Sequence, residues 1–184
     1  MLHLLIDAYN LMYSLEKNGK LKDSKGRSLG LDLKDKRKSM ISLLQEYRAT
    51  REVQISLVFD SSQPQYLLAQ RTKVGKIQII FTDEDQTADE HICLECEKRP
   101  GKYVVVSSDL EVIRGAEAHQ CLSLRSEEFI QKLKLATSEL YQHPDLEGKD
   151  DSGPLYPKVS TRKKGVAKKL SKNKRRKRNF LKNL

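Results

Sequence analysis

The chain predicts an α/β domain: a doubly wound, mostly parallel sheet of about five strands flanked by helices, with a disordered basic C-terminal tail. Three observations predict it. Short, nearly continuous apolar runs alternate with stretches of helical period, as expected of strands buried on both faces with helices between them. Three of those runs, LHLLID, VQISLVFD and KYVVVSSD, end in an acid, at Asp7, Asp60 and Asp109. Beyond Tyr141 the composition shifts to proline, glycine and charge.

Leu2–Ile6 is the first strand, and helix-compatible residues follow from Tyr9 to about Glu16. Lys17–Gly30 is polar and glycine-containing, and reads as an exposed loop. Asp32 caps a long helix through about Thr50, with Met40, Leu43, Leu44 and Tyr47 on one stripe. Val53–Phe59 is the second strand; Ser61–Lys76 is irregular, with a short helix over Gln65–Arg71. Lys76–Thr82 is the third strand. Thr87 opens a helix to about Lys98, which Pro100-Gly101 ends. Tyr103–Ser107 is the fourth strand, Leu110–His119 a short helix and Gln120–Leu124 a weaker fifth strand. Ser126 caps the last helix, whose first turn carries Glu127 and Glu128. The domain therefore spans 1–140, a linker with Pro144, Gly148, Gly153, Pro154 and Pro157 spans 141–157, and the tail spans 158–184.

Charge separates the same parts. Of 35 Lys and Arg and 25 Asp and Glu, 13 basic and no acidic residues lie from Lys158 to Leu184. Residues 1–157 thus hold 22 basic against 25 acidic residues, a net of −3, and the tail holds +13. Lys163, Lys164, Lys168, Lys169, Lys174, Arg175, Arg176, Lys177 and Arg178 form blocks of one sign, which solvate a tail or bind a nucleic-acid backbone without sequence preference. Phe180 offers one stacking contact. No apolar stretch approaches the ~20 residues of a membrane span. The start, Met1-Leu2-His3-Leu4, lacks the form of a secretory signal. Three cysteines give no disulfide framework, so a cytoplasmic protein is expected.

The acids carry the chemistry. In an open parallel sheet the carboxyl ends of the strands share one edge, where ligands bind. Asp7, Asp60 and Asp109 reach it from three strands, and Asp89 lies in Thr87-Ala88-Asp89-Glu90 at a helix start. Taken singly, each acid serves as well as a cap or first-turn residue. Taken together they gain weight, because Ser, Thr or Asn would cap equally well. Thr87 and Glu90 already have the spacing of a capping box, which leaves Asp89 free to face the site. Converging carboxylates repel unless protons or cations neutralise them, and hard oxygen ligands suit Mg²⁺ or Mn²⁺. The chain has no nucleophile elbow, no Walker loop and no Gly-x-Gly-x-x-Gly. Cys93-Leu94-Glu95-Cys96 with His119 and Cys121 could supply four zinc ligands, yet the pair falls mid-helix and Cys96 shares a face with Ala88 and Ile92, so a core role is expected. His3 and His91 read as partnerless histidines in packing or surface roles.

Ile6-Asp7-Ala8-Tyr9-Asn10, Val58-Phe59-Asp60, Thr87-Ala88-Asp89-Glu90 and Val105-Val106-Ser107-Ser108-Asp109, in this order and spacing, resemble the NYN branch of the PIN-like nucleases. Arg114-Gly115-Ala116 followed by Ser126-Glu127-Glu128-Phe129 is similar to its YacP-like group of bacterial ribosome-associated endoribonucleases. The resemblance covers about residues 1–135 and leaves out the tail. It implies a PIN-like, Rossmann-like fold and a Mg²⁺- or Mn²⁺-dependent RNase. Asp7, Asp89 and Asp109 fall on the family's acidic positions, with Asp60 beside them and Asn10 orienting a ligand or the substrate. Ala8 stands where the family has glycine, and Asp83-Glu84-Asp85 adds negative charge at the expected RNA entrance. The implied activity is endonucleolytic cleavage of single-stranded RNA, mRNA in association with the ribosome, with the tail holding RNA or ribosome. The alternatives are a toxin-type or tRNA- and rRNA-processing nuclease, and a non-catalytic RNA-binding or ribosome-assembly factor on the same fold.

Overall fold

A computed structural model describes residues 1–22, 32–60, 71–141 and Arg175, of 137–141 the backbone alone. The chain divides into two units, Met1–Leu140 and Tyr141–Leu184. The first unit runs β1 (Leu2–Asp7), α1 (Ala8–Lys17), α2 (Leu33–Thr50), β2 (Val53–Phe59), β3 (Arg71–Val74), β4 (Ile77–Phe81), α3 (Ala88–Lys98), β5 (Tyr103–Val106), α4 (Leu110–Ala118), β6 (Leu122–Leu124) and α5 (Ser126–Tyr141). Of the second unit, the backbone of Tyr141, which ends α5, and Arg175, helical and exposed, are described. Residues 142–157 of the linker, the other tail cations and all but the last residue of the helix expected over Gln65–Arg71 lie outside the described residues, and Arg71 itself is in β3.

One sheet has the order β3-β4-β2-β1-β5-β6. All its pairs are parallel except β3 with β4. The central strands are buried on both faces because each is almost wholly apolar: Leu4, Leu5, Ile6, Leu57, Val58, Val104, Val105 and Val106 are at most 2% exposed. Alternation then splits their side chains between two layers. Leu5, Val58, Ile80 and Val105 join Ile92 and Cys96 of α3 and Val112 and Ala116 of α4 in one cluster. On the other face Phe59 meets Tyr9 of α1, and Tyr47 of α2 meets Phe129 of α5.

Strand order places the site. From β1 the chain steps outward through β2 to β4, then returns across β1 to β5 and β6. The direction reverses between β1 and β5, and the crevice outside the carboxyl ends of the strands at such a reversal is where ligands bind. Asp7 ends β1 and Asp109 follows β5, so two of the four acids flank the reversal.

Two expectations are corrected here. Residues 71–74 form the edge strand β3 in place of irregular chain, and the sheet has six strands. All four β3 residues are exposed, so no apolar pattern marked them. The turn chemistry did: Gly75 at φ +60° opens a two-residue loop between Val74 and Ile77, a primed hairpin turn that glycine adopts without a Cβ clash. Ser126 is the first residue of α5 and its hydroxyl bonds elsewhere; Glu128 instead reaches back to the Arg125 N–H at 3.4 Å. The expected cap of α2 holds, with Asp32 accepting from the Asp35 N–H at 2.7 Å. Among the described residues no helix is long and apolar enough to cross a membrane.

Candidate active site

Asp7 is the most constrained acid. It is 7% exposed, ends β1 and caps α1. One carboxylate oxygen accepts from the Asn10 N–H at 3.1 Å, the other from the Ser107 hydroxyl at 3.2 Å. Burial pushes its pKa up to about 6, with Asp89 and Asp109 pushing the same way against the two hydrogen bonds. Among the described residues no cationic side chain offsets this shift.

Asp89 stands in the first turn of α3. Thr87 and Glu90 complete the capping box: the Glu90 N–H donates to the Thr87 hydroxyl at 3.2 Å, and the Thr87 N–H to the Glu90 carboxylate at 3.1 Å. The cap is thus closed without Asp89, whose half-buried carboxylate has no hydrogen bond among the described residues. Its pKa is raised, by burial first, then by Asp109, Asp60, Glu111 and Glu90. A helix N-terminus favours an ionised carboxylate; here dehydration and four neighbouring acids outweigh it.

Asp109 is exposed and caps α4 through the Glu111 N–H at 2.7 Å. Its own N–H donates to the Ser107 hydroxyl oxygen at 3.1 Å. Ser107, fully buried, therefore ties Asp7 to Asp109. Asp60 follows β2 and lies near enough to Asp89 to raise its pKa. The structure thus gathers all four predicted acids at one edge.

Asn10 builds the wall beside them. Its side-chain oxygen accepts from the Ser108 N–H at 2.9 Å and from the Ser126 hydroxyl at 2.8 Å. The Ser108 hydroxyl in turn donates to Glu127 at 2.8 Å and accepts from the Ser126 N–H at 3.2 Å. One asparagine in α1 so fixes the β5–α4 loop against the start of α5. Ser107 and Ser108 escaped the reading of the sequence as polar partners. Their signal was Ser107 itself, a polar residue continuing a strand buried on both faces, where it must find hydrogen bonds.

Of the remaining candidates, Cys96 and Cys121 belong to the core cluster. Cys96 and Cys121 are buried and reduced, and burial, with Cys121 alongside, pushes the Cys96 thiol up. His3 and His91 do have partners, Ser56 at 2.8 Å and Gln86 at 2.9 Å, and burial lowers both pKa values. Among the described residues no three or more His, Cys, Asp or Glu stand close enough together to hold a metal ion as a ready-made cage. A hard cation needs less: Mg²⁺ binds through one or two carboxylates plus water and phosphate oxygens. The donor set is all oxygen, the ligand type such an ion takes, so one or two of Asp7, Asp89 and Asp109 with water would suffice for it.

The fold has counterparts. Two crystal structures of Rae1 (YacP) from Bacillus subtilis resemble this one. The first, of a mutant, has a TM-score of 0.59 at 20% identity, covering 77% of this chain and 80% of that one. The second has a TM-score of 0.57 at 22% identity, covering 77% and 79%. At these identities the likeness is one of fold. No curated protein sequence matches. The family model of the YacP-like NYN domain matches residues 4–183, so the basic tail expected to lie beyond the family falls within the matched span. The chain belongs to the YacP-like NYN domain family, nucleases with RNA as substrate.

Proposed function

We propose that this protein is a Mg²⁺- or Mn²⁺-dependent endoribonuclease that cuts single-stranded RNA, with mRNA at the ribosome as its target. One observation carries the proposal: Asp7 and Asp89 are both held at raised pKa by burial and by their acidic neighbours, and no cationic side chain among the described residues compensates them. A site built this way takes up protons or a divalent cation.

Asp7, Asp89 and Asp109 would hold the ion, with Asp60 at the rim. A bound divalent ion lowers the pKa of a water and neutralises charge on the phosphate. Asp7 is fixed by Asn10 and Ser107, so its carboxylate offers a rigid anchor. Asp89 is the uncommitted carboxylate, and its raised affinity for protons suits it to accept one from the attacking water. Asp109 is held through Ser107 in register with Asp7.

Internally cleaved products should appear when the protein and Mn²⁺ meet an end-labelled single-stranded RNA, and EDTA should stop them. Asp89→Asn should lower the rate at least ~100-fold, since removing a positioned proton acceptor costs about 10²–10⁴. Metal-independent cleavage, or an unaffected Asp89→Asn variant, sinks the proposal. The lack of a three-ligand cage among the described residues favours a second reading, an RNA-binding factor without catalysis. That reading requires binding with no cleavage of free or ribosome-bound RNA under any divalent ion.

The tail, with Lys163, Lys164, Lys168, Lys169 and the run Lys174–Arg178, supplies recruitment in this scheme, since it carries +13 and no acid. Truncation after Pro157 should leave cleavage of a short free RNA within ~2-fold and weaken ribosome binding strongly at low salt. A truncated protein inactive on short RNA would show that the tail belongs to the site.

A further inference from the structure

Arg37 interrupts an otherwise apolar stripe. Residues 37, 40, 44 and 47 follow the 3-4-3 spacing of one helix face, and Met40, Leu44 and Tyr47 are fully buried. An arginine in phase with such a stripe needs a reason to be there. Its guanidinium carbon lies 5.1 Å from the ring centre of Phe59, 5.6 Å from that of Tyr9 and 5.8 Å from that of Phe81. Phe59 and Phe81 stack at 5.3 Å, and Tyr9 meets Phe59 edge-on. One guanidinium nitrogen donates to the Tyr9 hydroxyl. The buried Nε–H has no acceptor, and no carboxylate pairs with Arg37 among the described residues.

The three rings are all at the acid-lined edge. Tyr9 is two residues from Asp7, Phe59 precedes Asp60, and Phe81 pairs with Phe59 at the ends of β4 and β2. A cation is thus held rigidly by aromatic faces, within a body of net charge −3, without an acid of its own. Stacked guanidinium keeps its edge donors for an in-plane acceptor, and its fork matches phosphate.

We propose that Arg37 anchors a backbone phosphate of the RNA strand next to the acidic site, as a positioning residue that fixes the strand for cleavage. This rests on the RNA-nuclease reading. It is tested without cleavage, so the two can fail separately.

Binding of a fluorescent single-stranded RNA in EDTA, across a salt series, reads the contact directly. Each phosphate contact to a single strand contributes about 0.7 to the slope of log K against log salt. Arg37→Met should shallow the slope by ~0.7 and weaken binding about 10-fold at low salt, while Arg37→Lys keeps the slope. In wild-type protein, the Arg37 Nε–H resonance should shift on adding the RNA. Excess inorganic phosphate that reproduces this shift at micromolar levels would mean a free-anion site and overturn the anchor. A lower melting temperature for Arg37→Met with an unchanged slope would show a packing role and overturn it too. If Arg37→Met does not fold, the wild-type resonance decides: no shift with RNA overturns the proposal.

Discussion

Asp7→Asn should abolish RNA cleavage and at the same time raise the melting temperature at pH 7. The reason is the cost of the buried charge. The Asp7 pKa rises from 3.8 in the unfolded chain to about 6 when folded. Between these values the folded state binds the extra proton, so stability falls as pH climbs through the window. Above pH 6 the full penalty stands, about 3 kcal/mol at 1.36 kcal/mol per pKa unit. Asparagine removes the charge and keeps an oxygen for the Asn10 N–H. Its amide must donate to Ser107, whose oxygen already accepts from the Asp109 N–H, and the Ser107 hydroxyl loses its acceptor. That returns about 1–2 kcal/mol. The net gain is about 1–2 kcal/mol, or roughly 3–8 °C for a domain of this size. The gain should vanish near pH 4, where folded Asp7 keeps its proton and the unfolded chain is close to its own pKa of 3.8, so little of the burial penalty is left to relieve. Activity should fall at least ~10³-fold, because an amide neither binds a hard cation well nor attracts it by charge. Mn²⁺ should raise the melting temperature of the wild type more than that of Asp7→Asn. A variant that melts lower at pH 7 and keeps the full Mn²⁺ shift would refute both parts.

The acids were legible because they obey a local rule. Asp7, Asp60 and Asp109 close apolar runs, and parallel topology brings such ends together whatever lies between. Asp89 was legible by subtraction, since Thr87 and Glu90 had the cap spacing and do form it. The supporting network was not. Asn10 meets Ser108 and Ser126 across 98 and 116 residues, so its partners depend on which strand neighbours β1, and strand order is not a local property. β3 was missed because an exposed edge strand needs no apolar pattern; only its glycine turn spoke. Arg37 was visible as a charge in phase with an apolar stripe, but its ring platform assembles from α1, β2 and β4.

Asn10→Ala should cost both stability and rate, more than its position in the site wall suggests. Removing the side-chain oxygen leaves the Ser108 N–H and the fully buried Ser126 hydroxyl without their acceptor. A stranded buried donor costs about 1–3 kcal/mol, and two of them, one partly exposed, about 3 kcal/mol together. The melting temperature should fall by about 6–15 °C. The damage should also reach the chemistry. Ser108 lies between Ser107, which holds Asp7, and Asp109, so a slack loop moves one acid relative to the others. A misplacement of about 1 Å in such a site costs ~10²-fold in rate. Asn10→Asp separates the two effects. It keeps the accepting oxygen, so most of the stability should return, while a fifth negative charge enters beside Asp7. If Asn10 serves through its oxygen alone, Asn10→Asp should recover cleavage at raised Mn²⁺; if its amide also orients the RNA, stability should return without activity. An Asn10→Ala protein with wild-type melting and full cleavage would show that the β5–α4 loop is held without it.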